Sequence, residues 1–176
     1  VRVPRDAETI QAAVDAAEPG GMVLIEPGVY RESITVTTPF LTIRGMDRSR
    51  VVIDGDFERA LGIHVIEADG VTIENLTVRN HLSIGARWTS VHGYRGSFLT
   101  AHDNGDHGLS ADDSDWGQFD RSYASGSSVS GLSIGRCFPC HAVVRDVLAE
   151  HNSIGFSGTN AGGDLAIVNS EWRFNL

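Results

Sequence analysis

Residues 85–134 read GARWTSVHGYRGSFLTAHDNGDHGLSADDSDWGQFDRSYASGSSVSGLSI, and the spacing inside this stretch decides the fold. Gly85, Gly108 and Gly131 lie 23 residues apart; the ruler extends outward to Gly62 at the same interval and to Gly155 at 24. A period of this length belongs to a chain that stacks one structural unit on the next. Ile63-His64-Val65, Ala86-Arg87-Trp88, Leu109-Ser110-Ala111 and Leu132-Ser133-Ile134, directly after four of the glycines, run apolar, polar, apolar. That is the period-two pattern of a strand with one buried face. A second strand follows in each unit, as in Val71-Thr72-Ile73 through Val78, Arg145 to Ala149 and Ile167 to Trp172. Asn80, Asn104, Asn152 and Asn175 are expected at the corners, where Asn tolerates left-handed backbone. Short strands, polar corners and no Leu-rich consensus describe an all-β parallel β-helix better than a leucine-rich repeat.

Working outward, 176 residues suit one elongated domain, and Gly 20 with Pro 5 supply the punctuation of a turn-dense chain. The formal net charge of −9 argues for no nucleic acid and no anionic membrane as partner, since phosphate binding needs a basic surface. No apolar run approaches the roughly 18 residues of a membrane span. No signal peptide is seen, and Val1 reads as a mature or trimmed start.

The first part of the chain is organised differently, which divides it into residues 1–57, a cap helix with the first coils, and residues 58–176, the stacked coils of the same continuous domain. Thr9 is placed to cap a helix whose Ile10, Ala13, Val14 and Ala17 share one face. Pro19-Gly20-Gly21 ends it, Met22 to Ile25 reads as a strand, Pro27 to Tyr30 as a turn and Ile34 to Val36 as a strand. An amphipathic helix over the open end of a stack covers apolar cross-section and unpaired strand edges.

The run TIQAAVDAAEPGGMVLIEPGVYRESITV, followed by LTIRG and VVIDG, resembles the N-terminal cap and first coils of the pectin-lyase-like superfamily. The resemblance covers residues 9 to 55. It implies a right-handed parallel β-helix with coils of about 23 residues and a short N-terminal capping α-helix. Pectin methylesterases, polysaccharide lyases, mannuronan epimerases and non-enzymatic copper-handling proteins share that opening. It therefore implies a secreted or periplasmic, carbohydrate-active protein, lyase- or epimerase-like on acidic polysaccharide or oligosaccharide. One scaffold carries many activities. The Asp-Pro-His-Asp element of the epimerases and the Arg-x-Pro-x-x-Arg element of the pectate lyases are missing here, as are the esterases' paired aspartates.

The ruler predicts which side chains stack about 4.8 Å apart on successive coils. Two residues after each glycine come His64, Arg87, Ser110, Ser133 and Ser157; five after come Glu67, Ser90, Asp113, Arg136 and Asn160; seven after come Asp69, His92, Asp115, Phe138 and Gly162. His92 is thus expected between Asp69 and Asp115, and Asp113 beside Arg136. Arg87, His92, Asp113, Asp115 and Arg136 are then candidate catalytic residues on one polar face, suited to binding a sugar acid and abstracting the proton beside its carboxylate. The competing reading is a row of solvated surface pairs. Asp112-Asp113-Ser114-Asp115 raises Ca²⁺ as a cofactor, set against a plain acidic turn. Trp88, Phe119, Phe156 and Trp172 read as core; Trp116 reads as an exposed ring; His102, His107 and His151 are assigned no role.

Both cysteines lie in Cys137-Phe138-Pro139-Cys140-His141, which admits four readings. C-x-x-C-H matches covalent haem attachment, though a solenoid corner offers no haem pocket. Cys137, Cys140 and His141 suit a soft metal, Cu or Zn. A redox dithiol normally opens a helix, and none is expected. A structural disulfide, or simple thiol packing, is the bland reading and stands ahead of the others. The last residues, Glu171 to Leu176, stop mid-coil, so further coils or a second copy of the chain are expected to cover that end.

Overall fold

The computed structural model describes residues 1–176, in which Ile10–Asp15 is the one α-helix and all other regular structure is short strand. The strands form three sheets of eight, six and seven members, and every pairing is parallel. Parallel neighbours need a long crossover, and here the crossover is the rest of the coil. The chain passes through Thr77–Arg79, Ile84–Thr89 and Arg95–Ser97, one strand in each sheet, then returns as Thr100–His102 beside Thr77–Arg79. Coil stacks on coil in the expected register: Arg87 lies opposite His64 and Ser110, and Ser133 and Ser157 continue the column.

The glycine ruler has a steric cause. A Cβ on Gly85 would stand 2.6 Å from the carbonyl oxygen of Gly108; one on Gly108 would stand 2.7 Å from that of Gly131 and 3.2 Å from the methyls of Ala101 and Ala124. Ala101, Ala124 and Ala149 form a ladder in the seven-stranded sheet, fully buried. The six- and seven-stranded sheets therefore meet along a seam of glycine against alanine, too narrow for a larger side chain. The rest of the core is large: Ile43, Ile73, Gly96, Phe119 and Val144 are in register in the eight-stranded sheet. Gly96 leaves room for Trp88 and Phe119, whose rings meet edge to face at 5.4 Å. Phe156 and Trp172, nearer the last coil, stack at 5.7 Å and are only partly buried.

The helix caps the first coil as its pattern predicts. The Thr9 hydroxyl accepts from the Ala12 amide at 3.1 Å, and Ile10, Ala13 and Val14 are buried. The Glu32 carboxylate, from the coil beneath, accepts from the Ile10 and Gln11 amides at 3.1 Å each, satisfying donors that a helix N-terminus leaves open. Two expectations change. Gly28–Tyr30 is a strand, paired with Val51–Ile53, where a turn is expected from its Pro-Gly. Asn104 and Asn152 are buried and point inward. Each accepts from an amide one coil back, His81 and Ser127 at 3.1 and 3.0 Å, and donates to a carbonyl of its neighbours. Their corners are turned instead by the preceding residues, Asp103 and His151, both with positive φ.

The seam generates a stability prediction. Gly108→Ala places a methyl against the Gly131 carbonyl and is expected to cost about 1–3 kcal/mol, the usual penalty of overpacking. Gly158→Ala, whose new Cβ meets only the Phe156 ring at 3.4 Å, is expected to be neutral. Urea titration of the two variants separates seam packing from a general intolerance of glycine substitution.

Candidate functional site

The outward face of the six-stranded sheet carries a cleft of about 530 Å³, lined chiefly by polar groups of four successive coils. Alternation along the strands puts Arg87 on this face, with Ser110 and Ser133 opposite in the next coils, while Ala86, Trp88, Leu109 and Ala111 point into the core. Asp112, two residues beyond Ser110, faces the same way. Arg87 Nη2 donates to Asp112 Oδ2 at 2.8 Å, and Arg136 grips the same carboxylate, Nε donating to Oδ1 at 3.0 Å and Nη2 to Oδ2. Two guanidiniums thus converge on one carboxylate. Asp106 begins this stretch as Asp112 ends it, and its Oδ2 is held by the Ser83 hydroxyl at 2.5 Å. The chain has no lysine; its 14 basic residues are all arginine, the side chain whose planar fork matches a carboxylate.

Two histidines complete the face. Burial pushes the His107 imidazole below its usual pKa; Asp106 opposes this and Arg87 adds to it. Burial and then Arg87 do the same to His64. Both are neutral at neutral pH. His107 Nδ1 pairs with the Ser130 hydroxyl at 2.7 Å; in the tautomer whose Nδ1–H donates to that hydroxyl, Nε2 is the nitrogen that accepts a proton.

Of the residues expected on one face, the structure unites Arg87 and Arg136 and separates the others. His92 does stack between Asp69 and Asp115: its amide donates to Asp69 Oδ1 at 2.8 Å and its Nδ1 meets Asp115 Oδ1 at 2.7 Å. That ladder lies around the corner, outside the cleft. Asp113 stacks beside Arg136 in backbone register, both with positive φ, but its carboxylate takes the Ser90 hydroxyl while Arg136 reaches back to Asp112. The acidic run therefore splits three ways, Asp112 to arginine, Asp113 to serine and Asp115 to histidine, so it does not assemble the oxygen cage that Ca²⁺ needs. Ser83, Asp106 and His107 are cleft residues for which the sequence reading gives no role, and Asp112 is one that it considers only for Ca²⁺. Asp112 was reachable from the ruler, because four residues after a glycine faces the same way as two.

The cysteines also depart from the ruler. Ser110 pairs with Ser133, an offset of 23, but Gln118 pairs with Val143, an offset of 25. Two extra residues enter at this corner. The Trp116 amide donates to the Cys140 carbonyl at 3.0 Å, so Cys140 stands where Asp115 leads one to expect Phe138. Phe138 and Pro139 are pushed out, and a Cys137–Cys140 disulfide, Cα to Cα 4.8 Å, closes the base of the protrusion. A soft-metal site at Cys137, Cys140 and His141 is not formed: the sulfurs are bonded to each other. His141 turns to Asp164 at 3.1 Å and lies against Trp116, ring centroids 4.5 Å apart. Trp116 is 58% exposed, as expected from its corner position.

Outside the cleft, Asp120 is buried yet anionic. Burial works to raise its pKa and is outweighed by hydrogen bonds from Arg95, Arg121 and Ser97. His81 is 1% exposed, and burial depresses its pKa against the raising effect of Asn104.

Two predictions follow from these groups. His81, His64 and His107 all have folded pKa values below the unfolded value of about 6.5. Below that pH the unfolded chain takes up protons that the fold refuses, so stability is constant above it and falls as pH drops. Urea midpoints at about pH 7.5 and about pH 5 are expected to show the loss, and His81→Asn is expected to reduce it. A thiol assay on the unreduced, unfolded protein is expected to find no free cysteine; two titratable thiols per chain would contradict the bonded state.

No protein-family model and no curated protein matches the sequence. Solved structures do. Pectate lyase Pel9A superposes with a TM-score of 0.79 at 19% identity, over 92% of this chain and 47% of that one. An alginate lyase from Paenibacillus sp. gives 0.64 at 18%, over 92% and 62%. The A-module of mannuronan C-5 epimerase AlgE4 from Azotobacter vinelandii gives 0.60 at 16%, over 92% and 71%. The chain spans about half the length of the pectate lyase. With three parallel sheets wound coil on coil and a helix over the first, the chain has the parallel β-helix fold, which it shares with these lyases and the epimerase module.

Proposed function

We propose that the cleft binds an acidic sugar and that the protein is a carbohydrate-active β-helix, lyase- or epimerase-like on uronate-containing polysaccharide. The observation that carries this reading is the pair Arg87 and Arg136 on the single carboxylate of Asp112. A substrate carboxylate accepts from the guanidinium N–H groups that Asp112 leaves free. These two guanidiniums give a polyanion a local point of attachment that the net charge of −9 by itself does not. Pectate lyase, alginate lyase and mannuronan epimerase among the structural neighbours support the substrate class.

In this reading the arginines withdraw charge from the sugar carboxylate and so acidify the adjacent C–H. His107, neutral, takes that proton on Nε2 in the tautomer whose Nδ1–H donates to Ser130. The electron pair then has two fates. Expelling the glycosidic oxygen across the neighbouring bond gives an unsaturated uronate and a hydroxyl, the oxygen collecting a proton as it leaves. Reprotonation from the opposite face gives the epimer. Arg87 and Arg136 stabilise the enolate-like charge common to both. The disulfide supports an exported setting, since such bonds persist in oxidising compartments; no helix is long and apolar enough to cross a membrane. Binding without turnover is the second reading, favoured by the missing motifs of the known enzymes.

The test is a panel of uronate polymers followed by ultraviolet absorbance of the unsaturated product and by NMR of the sugar configuration. Arg87→Ala is expected to weaken binding about tenfold or more. His107→Ala is expected to keep binding and to lower turnover by roughly 10²–10⁴. Binding without either product assigns the second reading, and a panel in which no uronate polymer binds removes the proposal.

A further inference from the structure

The protrusion at residues 137–140 borders the cleft, because Arg136 lines both the cleft and a second depression of about 280 Å³. The composition of this depression is different. Asp113, Ser114 and Asp115 of one coil and Arg136, Cys137, Phe138 and Pro139 of the next line it. Phe138 is 85% exposed, an unusual state for a large apolar ring. It is not loosely exposed. Its ring rests on the next coil, where a Cβ on Gly162 would stand 3.3 Å from it, and the disulfide ties down both ends of its short loop. An aromatic ring fixed beside two carboxylates is a surface for a sugar ring, which offers C–H groups on one face and hydroxyl donors at its rim. The carboxylates also decide which sugar. Asp113 and Asp115 are engaged only by Ser90 and His92, with no arginine on either. Arg136, the one arginine lining the depression, is already on Asp112, so a second uronate there would be set against Asp113 and Asp115, whereas neutral hydroxyls would donate to both.

We propose that this depression is a subsite for a neutral sugar, so that the glycan recognised is a heteropolysaccharide in which uronate and neutral residues adjoin, and not a homopolymer of uronate. The inference rests on the cleft being the acidic-sugar site and adds the neighbour it selects. Phe138 stacks on the neutral ring, Asp113 and Asp115 accept from its hydroxyls, and Arg136 spans the junction.

The experiment is calorimetric titration of the full chain, disulfide intact, with three oligosaccharides of equal length: uronate alternating with neutral hexose, uronate alone, and neutral hexose alone. The alternating ligand is expected to bind about tenfold more tightly than the homouronate and more tightly still than the neutral one. Phe138→Ala is expected to remove that advantage by weakening the alternating ligand alone, and Phe138→Trp to restore it. The double variant Asp113→Asn, Asp115→Asn is expected to narrow the gap from the other side, by improving the homouronate. Unchanged thermal unfolding of each variant shows that the fold is intact. Equal affinity for alternating and homopolymeric ligands, or an advantage that survives Phe138→Ala, overturns this inference and leaves the acidic cleft standing. Failure of both acidic ligands to bind removes both, and preference for the neutral ligand reverses the order proposed.

Discussion

Hydrogen bonding from each coil to the next, at one register, is the constraint on which the rest of this molecule depends. Because side chains alternate across a strand, a slip of one residue would turn the whole inner set outward. The sequence answers with residues whose size matters at a given rung. Gly85, Gly108 and Gly131 let a neighbouring carbonyl approach where a Cβ would sit. Ala101, Ala124 and Ala149 line the facing sheet. Trp88 has Ala111 as its in-register neighbour and Gly96 against its ring. Space is exchanged between rungs so that each coil closes.

The corners need a different solution. There the backbone turns through left-handed conformations at Glu67, Ser90, Asp113, Arg136 and Asn160, one above another. Backbone donors exposed by the turn must be matched inside. Ser114 accepts from Val91 and Ser122 from Leu99 at 3.0 and 3.1 Å, and the inward Asn104 and Asn152 do the same at another corner. Arg48 works over a longer reach: its guanidinium donates to the hydroxyl of Thr100 at 2.7 Å and to the carbonyl of Arg121 at 3.2 Å, binding an early loop to two later coils. These buried polar groups each close a turn or join coils, whereas the Tyr94 hydroxyl and Ser127 Oγ are buried without a partner.

The cleft and its neighbour lie where the repeat is broken. In the column His64, Arg87, Ser110, Ser133 and Ser157, Arg87 is the longest side chain, and its reach to Asp112 brings adjoining coils into one charged unit. Phe138 and Pro139 are the extra residues of a coil whose neighbours do without them. The acidic run from Asp112 to Asp115 turns the corner, so its first carboxylate serves the cleft and its last serves the depression and the His92 ladder. Arg136, at the bend, belongs to both sides. A scaffold of repeated rungs thus holds two unlike surfaces side by side.

By itself, the sequence determined the period, the parallel stacking, the cap helix and the order of each outward column, because these follow from alternation and from a glycine that recurs once per coil. His92 between Asp69 and Asp115 was legible for the same reason. Only the tertiary structure decided which charges meet. An arginine spans more than the distance between coils, so Arg136 passes over Asp113 to reach Asp112, which residue spacing does not express. It also decided the state of the cysteines. The ruler samples register at one corner, where Gly131 and Gly155 differ by 24. The offset of 25 between Gln118 and Val143 is already reduced to 24 when the chain returns to Ser130 and Ile154. An insertion of two residues, half cancelled by a later deletion of one, leaves a single extra residue in that spacing, and only the stacked backbone shows Phe138 standing out from the wall.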